Sequence, residues 1–224
     1  PSQVGSAFAV EAARDVLTAC VDKDAFLKDL AKDCDRTLRI VEKRILEAWK
    51  AKVQEYDLAH PFTEDEAAIV SSKEGFTRIK AYGTTLSVGV LSDRFAFGIA
   101  IGDSDLVAVG KMLTRMPIET DAACEGSWTT SMCNTDALDL FHHWYTRHPP
   151  MALFASTDGL STTFRDDASF AKYCERWVRY YMEDPANWDR LTPNLDKRSG
   201  QVNRDDVSVA VVCRVRLNVG HRER

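Results

Sequence analysis

The sequence predicts an α+β protein, with helices toward both ends of the chain packed on an antiparallel sheet system. Three observations carry that prediction. Between Asp35 and Tyr56, Leu38, Val41, Ile45, Trp49, Val53 and Tyr56 recur at steps of three and four, with charge on the opposite face. From Leu86 to Ile101 the period changes to two, broken by a Ser92-Asp93-Arg94 turn, which is the pattern of a β-hairpin. Near the C-terminus, Val207 to Val215 alternates in the same way behind a polar stretch.

Taken in order, residues 6 to 21 place Ala9, Ala13, Val16, Leu17 and Cys20 on one side of an amphipathic helix. The long stripe from Asp35 to Tyr56 would run about 33 Å as a helix. His60-Pro61 ends it, because proline disfavours helical backbone at the residue before it. The second strand of the hairpin carries Ala96, Gly98 and Ala100 on one face, small enough for another layer to approach closely. It runs into Gly102-Asp103-Ser104, and Asp105 to Val109 resumes a short strand. Residues 110 to 134 lack a period and are expected to be loop. Asn134-Thr135-Asp136 reads as a cap for a helix over Ala137 to Tyr145, stopped by Pro149-Pro150. His142 and His143 would then diverge by about 100° around that helix and could not share one metal.

Ala152 to Ser156 is an apolar run that stops at Thr157-Asp158-Gly159. A strand that ends there delivers a carboxylate, and the glycine lets the chain turn sharply beside it. A further helix begins at Asp166-Asp167, with Phe170, Tyr173, Cys174, Trp177 and Tyr181 on one face. The segment from Asn187 to Asn203 is polar, and no internal repeat or linker interrupts the chain, so residues 1–224 are expected to form a single domain.

With 224 residues, 45% hydrophobic and 28% charged, the composition is that of a soluble globular protein. The net charge of −5 argues against nucleic acid or an anionic membrane as a partner. No apolar run is long enough to span a membrane. The six cysteines lack any Cys-x-x-Cys spacing, which predicts reduced thiols in a cytoplasmic protein and no structural zinc.

Three acidic turns remain. Asp103 and Asp158 each follow a strand, whereas Asp205 precedes one. If the last strand runs antiparallel to the other two, all three carboxylates reach the same sheet edge. Clustered carboxylates repel unless protons or cations lie between them. Oxygen ligands without histidine or thiolate favour Mg²⁺ or Mn²⁺. The plainer alternative is that these aspartates only cap turns and bind backbone amides.

Gly83-Thr84-Thr85-Leu86, Ile101-Gly102-Asp103-Ser104, Ser156-Thr157-Asp158-Gly159-Leu160 and Asp205-Asp206-Val207-Ser208-Val209 resemble, in order, the motifs of the type-2C metal-dependent Ser/Thr protein phosphatases. Gly5-Ser6-Ala7-Phe8-Ala9-Val10 is similar to that family's first helix, and the compact bacterial-type members are the nearest in pattern. The resemblance implies an αββα sandwich of two antiparallel sheets flanked by helices. It implies two Mn²⁺ or Mg²⁺ ions held by Asp158 and Asp205, and a third, weaker site at Asp103. Thr157, Gly159, Asp206 and Ser104 would support these ligands. A metal-activated water would remove phosphate from phosphoserine or phosphothreonine of a phosphorylated protein substrate, without a cysteine nucleophile. One departure matters: the family's early Asp-Gly, whose aspartate bridges the metals, has no counterpart here, since Asp158-Gly159 is the sole Asp-Gly pair. Either the strands that carry it precede Pro1 in the intact protein, or the domain is a catalytically inactive phosphatase-like module that binds a phosphoprotein or regulatory partner.

Overall fold

The computed structural model describes residues 1–72, 75–119, 124, 129–200 and 204–214. These fall into two compact units. The first comprises Pro1–Val88, Gly98–Ser104 and Ile118–Tyr145; the second comprises Gly89–Phe97, Asp105–Pro117 and Thr146–Arg214 within the described range.

The first unit is built on α1 (Ser2–Thr18), α2 (Asp24–Lys32), α3 (Cys34–Ala59) and α4 (Glu64–Ser72). Helix α3 follows the long stripe: Leu38, Val41, Ile45, Trp49 and Val53 are all buried. It starts where Asp33 accepts a hydrogen bond from the Arg36 amide at 3.0 Å, an N-cap, and it ends at Ala59 before Pro61. Helix α4 opens with a capping box, in which Thr63 N donates to the Glu66 carboxylate at 2.9 Å and Glu66 N donates back to Thr63 Oγ1 at 3.3 Å.

Helix α1 lies close against a 3-10 turn at Arg78–Tyr82. A Cβ on Gly5 would sit 1.9 Å from the Tyr82 carbonyl oxygen, so glycine is required by the close approach. The Trp49 indole donates to the Gly5 carbonyl at 3.0 Å and ties α3 to the same spot. Arg78 grips Asp57 with two 2.7 Å bonds and holds its carboxyl below the ordinary range; Tyr82, buried beside it, is pushed up to about 12. Gly5→Ala is expected to cost about 1–3 kcal/mol by overpacking, read as a lower urea midpoint with an unchanged m-value. A wild-type midpoint would show that α1 can move off Tyr82 freely.

The expected hairpin forms as β1 (Leu86–Leu91) and β2 (Ala96–Ile101), closed by Ser92 N donating to Phe95 O at 2.9 Å. The third strand of this sheet, β5 (His142–Thr146), corrects the sequence reading. The expected helix over Ala137–Tyr145 is only a 3-10 turn at Ala137–Leu140, and Phe141 (ψ 136°) already leaves helical backbone. Helix periodicity over nine residues was a weak signal. Trp144, Tyr145 and Thr146 favour a pleated surface, and pairing with β2 satisfies their backbone. As strand neighbours, His142 and His143 point to opposite sides.

In the second unit the sheet order is β4 (Thr114–Arg115), β3 (Asp105–Val109), β6 (Ala152–Ser156), β7 (Val209–Cys213). Each pairing is antiparallel, with Asp105 opposite Ser156 and Ser156 opposite Val209. Strand β3 is buried along its whole length, while β7 alternates half-buried and exposed, as its period-two sequence requires. Val215, the expected end of that strand, lies outside the described residues. Helix α6 (Asp167–Glu183), N-capped by Asp166 accepting from Ser169 N at 2.8 Å, presents Phe170, Tyr173, Cys174, Trp177 and Val178 to a core shared with Val107, Val109, Phe154 and Leu160. Strand β1 contributes here too, since a Cβ on Gly89 would meet Leu153 at 3.1 Å and Leu106 at 3.3 Å. The polar stretch after Asn187 also holds structure: a 3-10 turn at Pro185–Arg190 runs into α7 (Leu191–Arg198).

Candidate active site

Strand β6 ends at Ser156 and feeds, through Thr157, a single helical turn, α5 (Asp158–Ser161). Leu160, fully buried, anchors that turn in the core. The Asp158 carbonyl accepts from Ser161 Oγ at 3.2 Å, Thr162 Oγ1 at 2.9 Å and Thr162 N at 3.1 Å. The backbone that carries the Asp158 side chain is therefore fixed by short local bonds, while the residue itself is half-buried.

Thr157 locks this turn to the segment before β7. Its amide donates to Ser208 O at 3.1 Å, its hydroxyl donates to Asp206 O at 3.1 Å, and the same hydroxyl accepts from Ser208 N at 3.0 Å. Asp205 accepts from the Asp206 amide through its own carboxylate at 2.8 Å. A Cβ on Gly159 would lie 2.5 Å from Asp206 O and 3.4 Å from Asp205 Cβ. The glycine of the Asp-Gly pair is what admits the acidic pair beside it. Of the three aspartates expected at one sheet edge, Asp103, Asp158 and Asp205, the antiparallel β6–β7 pairing sets the Asp205–Asp206 segment beside the Thr157-Asp158-Gly159 turn. Gly159→Ala is expected to push the Asp205–Asp206 segment away. Stability should fall by about 1–3 kcal/mol, and the amides of Asp206 and Ser208 should exchange faster with solvent. Unchanged exchange there would contradict the close approach.

Asp103 and Ser104 belong to the first unit, on the turn that ends β2. Gly102 turns there with φ +99°, in the left-handed region, and its amide donates to Thr130 Oγ1 at 3.1 Å. A Cβ on Gly102 would also meet Thr85 Cβ at 2.5 Å, and Ser104 Oγ lies 3.5 Å from Thr85 Oγ1. The Thr84-Thr85 and Gly102-Asp103-Ser104 segments thus build one turn, which positions Asp103 within its own unit.

The Asp158 and Asp205 pair offers hard, anionic oxygens. A divalent cation such as Mg²⁺ commonly takes one or two carboxylates and fills its remaining positions with water. The donor chemistry fits such an ion. Among the described residues, no group of three or more His, Cys, Asp or Glu side chains is arranged to hold a metal.

Other features escaped the sequence reading. Asp105 is 5% exposed and faces Ser156 across β3 and β6; its signal was a charged residue opening an otherwise apolar run. Burial, with Asp105 nearby, raises the Cys174 thiol far above its ordinary value, which removes it as a nucleophile. All six cysteines are free. Ser199 holds the Asp205 carbonyl at 2.6 Å, a role that no local pattern announces.

A family model for protein phosphatase 2C matches residues 1–196, which include Asp103 and Asp158 and stop short of Asp205. No curated protein sequence matches the chain. Among solved structures, PppA, a key regulatory component of T6SS in Pseudomonas aeruginosa, is 15% identical, with 93% of this chain and 78% of that one covered and a TM-score of 0.51. Serine/threonine phosphatase Stp1 from Staphylococcus aureus is 16% identical over 81% of this chain and 68% of its own, with a TM-score of 0.50. These structural likenesses speak to the fold, two antiparallel sheets with helices. With the family match running from α1 into α7, they lead to one conclusion: this chain belongs to the protein phosphatase 2C family.

Proposed function

We propose that the protein is a phosphomonoester hydrolase that removes phosphate from phosphoserine or phosphothreonine of proteins, using Mn²⁺ or Mg²⁺. What supports this reading is the close approach of the Asp205–Asp206 segment to the Thr157-Asp158-Gly159 turn, held by the Thr157 clamp and admitted by Gly159. Asp158 and Asp205 would hold the divalent ion, with Asp103 serving a further, weaker one. When bound, such ions withdraw charge from phosphate oxygens and acidify water. The chain's own part would be to hold the Asp158 turn and the Asp205–Asp206 segment side by side, on backbone that does not need to reorganise. Thr157 does this from one side and Asp206 from the other. Local positive charge from the ions would also reconcile a phosphate substrate with a net charge of −5. Six free thiols support a cytoplasmic setting; among the described residues no helix is long and apolar enough to cross a membrane.

The test is Mn²⁺-stimulated release of phosphate from p-nitrophenyl phosphate and from a phosphothreonine peptide by the intact protein, unaffected by thiol blockers. Absence of metal-stimulated turnover would end this reading. A second reading, an inactive module that binds a phosphoprotein or regulatory partner, draws on the missing bridging Asp-Gly and on the absence of a three-ligand group among the described residues. It expects no tight Mn²⁺ binding by calorimetry, and two strong sites would exclude it. The segment from Gly110 to Asn134, expected to be loop, contains β4; residues 120–123 and 125–128 lie outside those described.

A further inference from the structure

Helix α7 is tied to α6 by two side chains. Tyr173 donates its hydroxyl to Asn194 Oδ1 at 2.7 Å. Four residues on, the Arg198 guanidinium carbon lies 4.1 Å from the centre of the Phe164 ring and 4.6 Å from that of Tyr173. The two rings are 5.0 Å apart and tilted by 55°, so they form a corner in which a planar cation can stack. Arg198 Nη1 also donates to Thr163 Oγ1 at 3.2 Å, just beyond α5. Its Nε is buried and has no acceptor among the described residues. Among the described residues, this guanidinium is held by the two rings and the Thr163 hydroxyl, with no carboxylate contact.

The fixed end of α7 leads straight to the candidate site. Ser199 follows Arg198, and its hydroxyl donates to Asp205 O at 2.6 Å while its carbonyl accepts from Arg204 N at 2.8 Å. Between those two bonds Arg204 is held at φ +56°, left-handed backbone that a residue with a side chain adopts at a cost. Such a conformation persists only where its surroundings over-determine it. It sets the direction in which the chain enters Asp205.

We propose that Arg198 is a positioning residue for the candidate site: by stacking on Phe164 and Tyr173 it pins the C-terminal end of α7, so that Ser199 holds the Arg204 turn and sets Asp205 beside Asp158. The inference rests on the reading of Asp158 and Asp205 as metal ligands, but its structural half stands on contacts that need no metal.

The experiment measures amide hydrogen exchange across residues 204–208 and Mn²⁺ affinity by calorimetry in wild type, Arg198→Ala, Arg198→Lys, Ser199→Ala and Asn194→Ala. Arg198→Ala is expected to speed exchange at Arg204 and Asp206 by about 10-fold or more. It should weaken Mn²⁺ by about 10-fold, the scale of a lost supporting contact. Arg198→Lys should recover part of both, and Ser199→Ala should reproduce both without disturbing the rings. Unchanged exchange in Arg198→Ala overturns the proposal. So does an equal effect from Asn194→Ala, which would mean that docking of α7 alone matters. If Arg198→Ala does not fold, Ser199→Ala decides, and wild-type exchange in that variant refutes the path. Wild type that binds no Mn²⁺ refutes the metal reading, and the exchange data then judge Arg198 by themselves.

Discussion

His143→Ala is expected to destabilise the protein by about 3 kcal/mol, the low end of the cost of breaking a buried charged pair. Glu42 is fully buried on α3, and its carboxylate meets His143 Nδ1 at 2.6 Å. The only other charge on it among the described contacts is Arg39 Nη1 at 3.4 Å, and Arg39 is shared with the Leu138 carbonyl and with Asp139 at 2.8 Å. Removing the imidazole leaves a carboxylate in the core with one long contact. Glu42→Gln, which keeps a hydrogen-bonding group there, should cost less, about 1–2 kcal/mol. The hydrogen bond to Glu42 raises the His143 pKa, outweighing burial, with Asp35 at 3.4 Å adding to the rise. A pKa raised in the folded state gives stability that is fully present below the unfolded value of about 6.5 and is lost as pH climbs through the folded value. Urea unfolding of wild type and His143→Ala should therefore show the largest gap in mildly acidic buffer and a smaller one at alkaline pH. A gap that does not change with pH would mean that the histidine is neutral throughout.

Asp158→Asn is expected to lower Mn²⁺-stimulated kcat/KM by more than about 100-fold, since even outer supporting contacts to a metal are worth 10- to 100-fold. The substitution keeps the shape of the side chain. It leaves intact the three donors to the Asp158 carbonyl and the Thr157 clamp. The melting temperature without metal should thus stay near that of wild type, which separates a lost ligand from a lost fold. Asp205→Asn should behave alike, with higher Mn²⁺ concentrations restoring part of the rate. Full activity in Asp158→Asn would remove Asp158 from the site.

These two cases also mark what the sequence could reveal. The stripe of α3 and the alternation of β1, β2 and β7 are local solutions to burying one face, so periodicity alone located them. Glu42 falls at the stripe's spacing, four residues after Leu38 and three before Ile45, yet the sequence places charge on the opposite face, so its burial is a correction that only the structure supplies. Nor is its partner legible, because the pattern around His143 predicts a helix where the structure has a strand. Asp158 and Asp205 were legible as acids at turns, and the strand order that joins them needed only an antiparallel β6–β7 pair. The roles of Ser199 and Arg198 were not: a hydroxyl and a guanidinium gain meaning only from what the fold sets beside them.

Trp49 offers a separate consequence. Its indole is wholly enclosed, and its N–H is spent on the Gly5 carbonyl at a place where α1 has no room for a methyl group. Emission from such an indole is blue and shielded from aqueous quenchers, and both properties depend on α1 staying seated. A variant that keeps Trp49 as the single one of the five tryptophans would carry its own optical gauge of that seat. When the first helix comes away, its emission should redden and become quenchable, and fluorescence can follow that event without a label.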